Sequence, residues 1–408
     1  MKNQKQIALG GVAMMAGMVG ASAQDSAPLF KIGSVEVRPH ATYSAVYDDN
    51  IFLDHKTSAA GAVGRNAGRD HDFIHTFTPG LRLNAGDAAQ RQSAYFDANY
   101  EVAFTKFTDY TGSDATDHNA SVEFGGKLNR LHVGVAQTLA SRSDADVATS
   151  AANGRVKRKT WETKVDGDYE VSEKTSLSLN LLQTIGDYEA PLVDSVDRSA
   201  TLWLDHQILP KVKAGLGGSV GYLQVDGDAT SHNPNSSYVN GQGRLTWQAT
   251  QKLSVNGSAG FEYRNIQQQG VSDPVSFIYR LSADWKAAER TLVSVGASRG
   301  TKVSNSQGAQ LNEETSFTAS LRHGLGDRVS VAVEAGYSQS HYDQTVVIAG
   351  ASVRDDNYFF AKPSVSYRFM ERANATLYYQ YRRNDANLAA NGNDFYNNQL
   401  GLELSYRF

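Results

Sequence analysis

Apolar residues fall at every second position through most of this chain, and the residues between them are polar or small. Phe277, Tyr279, Leu281, Ala283 and Trp285 alternate with Arg280, Ser282, Asp284 and Lys286. Phe96, Ala98, Tyr100, Val102 and Phe104 alternate with Asp97, Asn99, Glu101 and Thr105. The last nine residues do the same, with Leu400, Leu402, Leu404, Tyr406 and Phe408 set against Gly401, Glu403, Ser405 and Arg407. A strand turns successive side chains to opposite faces, so each segment predicts a strand with one greasy and one wet face. Apolar residues do not recur at the three–four spacing of helices in these windows. About 18 strands are expected, at 35–47, 70–86, 92–108, 116–128, 130–142, 155–171, 175–188, 195–208, 212–226, 236–250, 252–266, 274–287, 290–303, 312–325, 327–342, 353–369, 372–386 and 394–408.

The connections alternate between tight and long. Leu128-Asn129-Arg130, Ser172-Glu173-Lys174, Leu209-Pro210-Lys211 and Met370-Glu371-Arg372 are tight, as are 248–252 and 324–328. The long ones, 48–69, 143–154, 227–235, 267–273, 304–311, 343–352 and 387–393, are rich in Asp, Asn, Gly, Ser and Ala. Short turns at one rim and longer loops at the other predict an all-β, antiparallel, up-and-down transmembrane barrel. Its turns are then periplasmic and its loops extracellular. Lipid offers no partner to a backbone N–H or C=O, so the sheet must close on itself, the last strand pairing with the first near Val35 to Tyr47. No linker divides the series, and residues 35–408 are expected to form one barrel.

Composition agrees with that class. Gly reaches 36 and Tyr 20 in 408 residues, while Pro stays at 8. A mean hydropathy of −0.43 excludes a helical membrane bundle, whereas a barrel needs only its outer face apolar. Lys2 and Lys5, the apolar run from Ile7 to Gly20, and Ala21-Ser22-Ala23 have the order of a secretory signal peptide over residues 1–23. Residues 24–34 then form a short periplasmic segment. The net charge of −4, or −6 without the two leader lysines, is small and dispersed, which argues against nucleic acid as a partner. There is no cysteine, hence no disulfide and no thiolate metal site.

With the polar face of each strand turned inward, the channel-lining residues are expected to include Asp97, Glu101, Glu123, Glu162, Asp166 and Asp168 from the first half of the chain. The second half contributes Arg244, Arg264, Arg280, Arg322, Lys362 and Arg382. Barrels of 16–18 strands leave an aqueous channel, and acids on one wall facing bases on the other would set a transverse field across it. The plainer alternative is that these charges pair with neighbours and stiffen the wall. Loop 48–69, with Arg65 and Arg69, is the candidate constriction. Tyr169, Trp247, Trp285, Tyr367, Phe369, Tyr406 and Phe408, all near tight turns, are expected in the periplasmic interfacial girdle.

The sequence carries no recognisable motif for catalysis or for a cofactor. The ten histidines show no H-E-x-x-H spacing, and no G-x-S-x-G elbow is present. Outer-membrane barrel enzymes place such groups on the barrel wall or rim, where His206, His232 and His341 are conceivable members, and the plainer reading of each is a surface residue. Asp-Asp-Asn occurs at 48–50 and again at 355–357 before aromatic residues; calcium ligation and ordinary loop chemistry are both readings of it. No catalytic, cofactor-binding or metal residue is assigned.

Two resemblances carry the function further. A terminal amphipathic strand ending in Phe resembles the C-terminal signature of bacterial outer-membrane barrels, which implies that Leu404, Tyr406 and Phe408 close the barrel and address the barrel-assembly machinery. Val46-Tyr47-Asp48-Asp49-Asn50-Ile51-Phe52, Thr78-Pro79-Gly80-Leu81, and the hairpin from Tyr367-Arg368-Phe369 to Tyr378-Tyr379 resemble a family of outer-membrane β-barrel porins. That resemblance implies a channel in outer-membrane lipid passing small polar solutes, or an outlet for polysaccharide, since some relatives are associated with exopolysaccharide export. The alternatives are a closed structural or adhesive barrel acting through its loops, and an outer-membrane barrel enzyme.

Overall fold

The computed structural model describes residues 30–53, 70–86, 94–145, 155–190, 192–226, 235–267, 273–306, 309–343, 354–387 and 394–408. The expected signal peptide, with Arg65, Arg69 and His232, lies outside them. The chain forms β1 (Phe30–Ile32), β2 (Val35–Asp48), β3 (Asp72–Ala85), β4 (Tyr95–Phe107), β5 (Ala115–Leu128) and β6 (Leu131–Arg142). It continues as β7 (Arg158–Glu170), β8 (Thr175–Tyr188), β9 (Asp194–Leu209), β10 (Val212–Asp226), β11 (Ser236–Trp247) and β12 (Leu253–Ile266). The last strands are β13 (Val275–Ala288), β14 (Thr291–Ser306), β15 (Ala309–Leu325), β16 (Val329–Asp343), β17 (Arg354–Met370), β18 (Ala373–Ala386) and β19 (Phe395–Arg407).

From β2 to β19 each strand pairs antiparallel with the next, and β19 pairs with β2 from Gln399↔Asp48 to Arg407↔His40. The result is a closed barrel of 18 strands, as the alternation predicts. Closure joins elements at opposite ends of the chain and removes both sheet edges. β2 begins a few residues beyond the end of β19, whose last contact is the Phe408 N–H donating to the Pro39 carbonyl at 3.0 Å. The short strand β1 covers that overhang, pairing Phe30 with Val37 and Ile32 with Val35 after a turn in which Gly33 takes a φ of 62°. Residues 30–32 are therefore strand rather than a plain extension.

The expected rhythm of connections has two exceptions. Residues 304–311 are not a long loop, because β14 and β15 run on to Ser306 and Ala309 and leave only 307–308 between them. The β3–β4 connection at the short-turn rim spans 86–94 and is not tight. The β4–β5 connection at the long-loop rim is ordered by Asp72, whose carboxylate accepts from the backbone N–H groups of Thr108, Asp109 and Tyr110 at 2.9–3.2 Å. Elsewhere the short rim uses turns such as Asn129-Arg130, where Asn129 adopts a φ of 53° that asparagine tolerates in two-residue hairpins.

Large apolar side chains cover the outer face, among them Leu177, Leu179 and Leu181 on β8 and Leu400, Leu402 and Leu404 on β19. Tyr169, Trp247, Trp285, Tyr367, Phe369, Tyr406 and Phe408 are exposed on this face near the short turns. A second ring near the long loops, with Tyr43, Tyr47, Phe73, Phe104, Tyr263, Phe277 and Phe359, completes the pattern. On β17 ten residues separate Phe359 from Phe369. At about 3.3 Å per residue and a tilt near 40°, that is roughly 25 Å of height, the thickness of an outer-membrane apolar band.

Candidate functional site

The inner wall carries every charged residue of the expected lining set, because each lies one position out of phase with the exposed apolar row of its strand. Most of these charges are engaged by neighbours on the same wall. Arg82 on β3 donates to Asp97 at 2.8 and 3.0 Å, and Glu101 lies 2.9 Å from His40 Nε2. Glu123 accepts from Tyr95 at 3.1 Å, and Asp168 from Ser178 at 2.6 Å. Asp166 lies 3.8 Å from Lys164 Nζ and 3.5 Å from His132 Nδ1. Farther round the wall, Arg244 on β11 reaches over β10 to clasp Asp205 on β9 through both Nε (2.7 Å) and Nη2. Arg264 is paired with Glu262 at 2.9 Å, and Arg382 donates to Asn397 at 2.9 Å. Among the described residues neither Glu162 on β7 nor Arg280 on β13 forms an ion pair. Asp97, Asp166, Arg244 and Arg264 are thus neutralised locally along the wall, which qualifies the picture of two simply opposed walls.

Three of the basic residues share a mode of support that the alternation could not reveal. The Arg244 guanidinium lies 4.3 Å above the Trp203 ring, Arg264 lies 4.3 Å above Tyr238, and the Lys362 ammonium 4.3 Å above Tyr378. Each aromatic ring in turn lies flat on the wall. Tyr238 rests over Gly221 and Tyr378 over Gly401, their cross-strand partners, and a Cβ at either glycine would occupy the ring's space. A cation above a ring face gains about 0.5–2 kcal/mol depending on its hydration. Glycine, ring and cation are therefore stacked in order, and the charge lies along the wall instead of reaching to the axis. Abundant Gly and Tyr were the signal for this arrangement, but their pairing needs the register.

At the long-loop rim the interior changes character. Leu53, Ala145, Tyr358 and Phe395 form one buried apolar cluster backed by Phe360. They come from the connections after β2 and β6 and from the starts of β17 and β19, so far sides of the ring meet inside the mouth. Val193, Leu223, Val225, Ile266 and Leu311 make a second cluster, and Val156 with Leu192 a third, packed against Tyr188. Leu53 holds a φ of 55°, an uncommon conformation for a non-glycine residue, with its side chain fully buried. Residues 49–53 thus fold inward, although Arg65 and Arg69, the expected constriction residues, lie outside the described positions.

Polar groups secure this inward turn. Asp48 Oδ1 accepts from the Asn50 N–H at 2.8 Å, and Oδ2 accepts from Gln399 at 2.7 Å. Asn50 Nδ2 donates to the Tyr396 carbonyl at 3.0 Å. In the second Asp-Asp-Asn, Asp355 contacts His341 at 2.6 Å and Asp356 is clasped by Arg354. Side chains of the protein itself engage these carboxylates, as ordinary loop and rim chemistry requires. Of the histidines considered for chemistry, His206 and His341 lie in register with the outward row, beside Thr175 and Asp355 respectively.

Comparison with known proteins places the barrel. Residues 194–408, more than half the chain, match the family model described as "Putative beta-barrel porin 2". No curated protein matches the chain. Among solved structures, a BenF-like porin from Pseudomonas fluorescens Pf-5 is similar at 11% identity and a TM-score of 0.48, over 91% of this chain and 99% of that one. OpdK from Pseudomonas aeruginosa, solved with vanillate, is similar at 10% identity and a TM-score of 0.46, over 91% and 98%. The siderophore receptor PirA of Pseudomonas aeruginosa follows at 7% identity and 0.44, over 91% and 80%. With its closed 18-strand barrel and its match across β9 to β19, the chain belongs to the β-barrel porin 2 family and is a porin-like barrel of the bacterial outer membrane.

Proposed function

We propose that the barrel is a passive channel for small polar solutes, lined by Asp97, Glu101, Glu123, Glu162, Asp166 and Asp168 and by Arg244, Arg264, Arg280, Arg322, Lys362 and Arg382. The observation that carries this reading is the inner wall itself. Its polar groups run the length of the strands, and three of its cations, Arg244, Arg264 and Lys362, are folded back onto Trp203, Tyr238 and Tyr378. A barrel whose only task was to hold a wall together has no need of charge kept out of the axis, and an apolar interior would serve it better. Solutes that can exchange hydrogen bonds with such a wall keep their solvation replaced as they pass. The test is single-channel recording in planar bilayers, where steady open steps are expected and a silent barrel would sink the proposal.

The mouth clusters favour a second reading, a barrel closed at rest that acts through its loops. The same recording separates the two, since that barrel conducts only after the loops are removed or displaced. The role of polysaccharide outlet rests on the family resemblance alone. Deleting the gene and measuring secreted glycan tests it, and unchanged glycan excludes it.

A further inference from the structure

Near the short-turn rim the register sets His132 on β6 opposite Asp168 on β7, with Asp166 opposite Gly134. We propose that His132, Asp166 and Asp168 form a binding site for one divalent transition-metal ion, with zinc as the reference ion. Their donor atoms all lie within 4.8 Å of one another. His132 Nδ1 stands 3.5 Å from Asp166 Oδ2 and 3.9 Å from Asp168 Oδ2. Zinc bonds nitrogen and carboxylate oxygen at about 2.0–2.2 Å, so the edge of its tetrahedron is about 3.4 Å. The His132–Asp166 separation matches that edge, and the wider His132–Asp168 separation needs only a small approach of the Asp168 carboxylate on binding.

The surroundings orient each donor. Ser178 Oγ donates to Asp168 Oδ1 at 2.6 Å, which leaves Oδ2 turned to the histidine. The Tyr95 ring stacks on the His132 ring, with centroids 6.1 Å apart and planes 7° apart. The Tyr95 hydroxyl lies 3.5 Å from His132 Nε2 and donates to Glu123 at 3.1 Å. The second ring nitrogen of a metal-bound histidine ordinarily faces such a polar relay to a carboxylate, which fixes the tautomer that frees the ligating nitrogen. Gly134 completes the cradle, because a Cβ there would come within 3.0 Å of the Asp166 carboxylate. The His132 side chain is 5% exposed, held on the wall before any ion arrives. Lys164 Nζ, 3.8 Å from Asp166 Oδ1, touches the other oxygen of that carboxylate and leaves Oδ2 to the site. A bare histidinium–carboxylate pair is the competing arrangement, and it predicts no affinity for zinc.

Chelator competition with Zn²⁺ on the folded, detergent-solubilised protein decides between them. One zinc per chain is expected, lost in His132→Ala and in Asp166→Asn and kept in His206→Ala. Tyr95→Phe should weaken binding by about tenfold, the lower end for an outer-shell partner. Absence of that zinc in the wild type, or its retention in both ligand variants, overturns the site. Should a ligand variant fail to fold, thermal unfolding of the wild type with and without Zn²⁺ still decides. An ion bound only by the native barrel raises the unfolding temperature, and an unmoved transition overturns the proposal.

Discussion

Asn397 donates its side-chain amide to the Asp48 carboxylate across the seam where the barrel closes, joining residues 349 positions apart. The same carboxylate also accepts from the Asn50 backbone and from Gln399, so one buried acid ties β2, β19 and the inward-turning connection together. Closure is therefore secured by side chains as well as by the backbone ladder.

Asp48→Ala leaves Asn397, Asn50 and Gln399 without their shared acceptor. Unsatisfied buried polar groups cost about 1–3 kcal/mol each, so the variant should unfold at distinctly lower temperature. Heat-dependent mobility on a gel, which distinguishes folded from unfolded barrels, measures it. Asp48→Asn, which keeps part of the acceptor capacity, should lie between the two.

Gly401→Ala should destabilise the barrel by about 1–3 kcal/mol, because the new methyl group meets the Tyr378 ring. In a Tyr378→Ala background the same change should cost little. A double-mutant cycle on urea unfolding measures the coupling, and additive effects would exclude the stacked arrangement.

Arg280 stands on the inner wall between Ser258 and Ser298, without an ion-pair partner among the described residues, so no adjacent carboxylate offsets its field. Neutralising Arg280 and Arg322 together should move the reversal potential toward cation preference. Bilayer recordings under a salt gradient check this, and unchanged selectivity removes both from the lining.

Phe408 stacks edge-on against Tyr406 at 4.8 Å and ends the seam through its N–H bond to Pro39. Its removal should lower the amount of folded barrel in outer-membrane fractions while leaving export across the inner membrane intact. Fractionation with the gel-mobility assay tests that.

Asp273, in the loop before β13, is held below the usual carboxylate range by the Ile266 N–H, then by the Tyr263 hydroxyl and the Asn265 amide. A depressed pKa means that its contribution to loop order is present above the unfolded carboxylate pKa. It is lost as pH falls through the lower, folded value. Hydrogen exchange at the Ile266 amide, corrected for intrinsic rate, should therefore accelerate on acidification below the normal carboxylate range. In Asp273→Asn that dependence should vanish.

The strand series was legible because a barrel imposes the same demand at every step, one face for lipid and one for water. β8, for example, occupies its expected span of 175–188. Two boundaries escaped. Residues 304–311 carry Ser, Asn and Gly like a loop, yet β14 runs on to Ser306 and β15 starts at Ala309, past a register shift between Val303 and Ser306. The inward turn at 49–53 was disguised by the polar Asp48-Asp49-Asn50, since buried acids look like exposed ones until their partners are known.

Alternation by itself determined the class of this protein, the number of strands in its barrel and the face on which their side chains stand. That is a local property, set by the period of two in an extended chain. Tertiary structure decided which ring lies under each cation, which apolar residues meet in the mouth, and that His132 faces Asp166 and Asp168. Those relations depend on register between strands and on closure of the ring, and a change of two residues in register would preserve every face while undoing every one of these contacts.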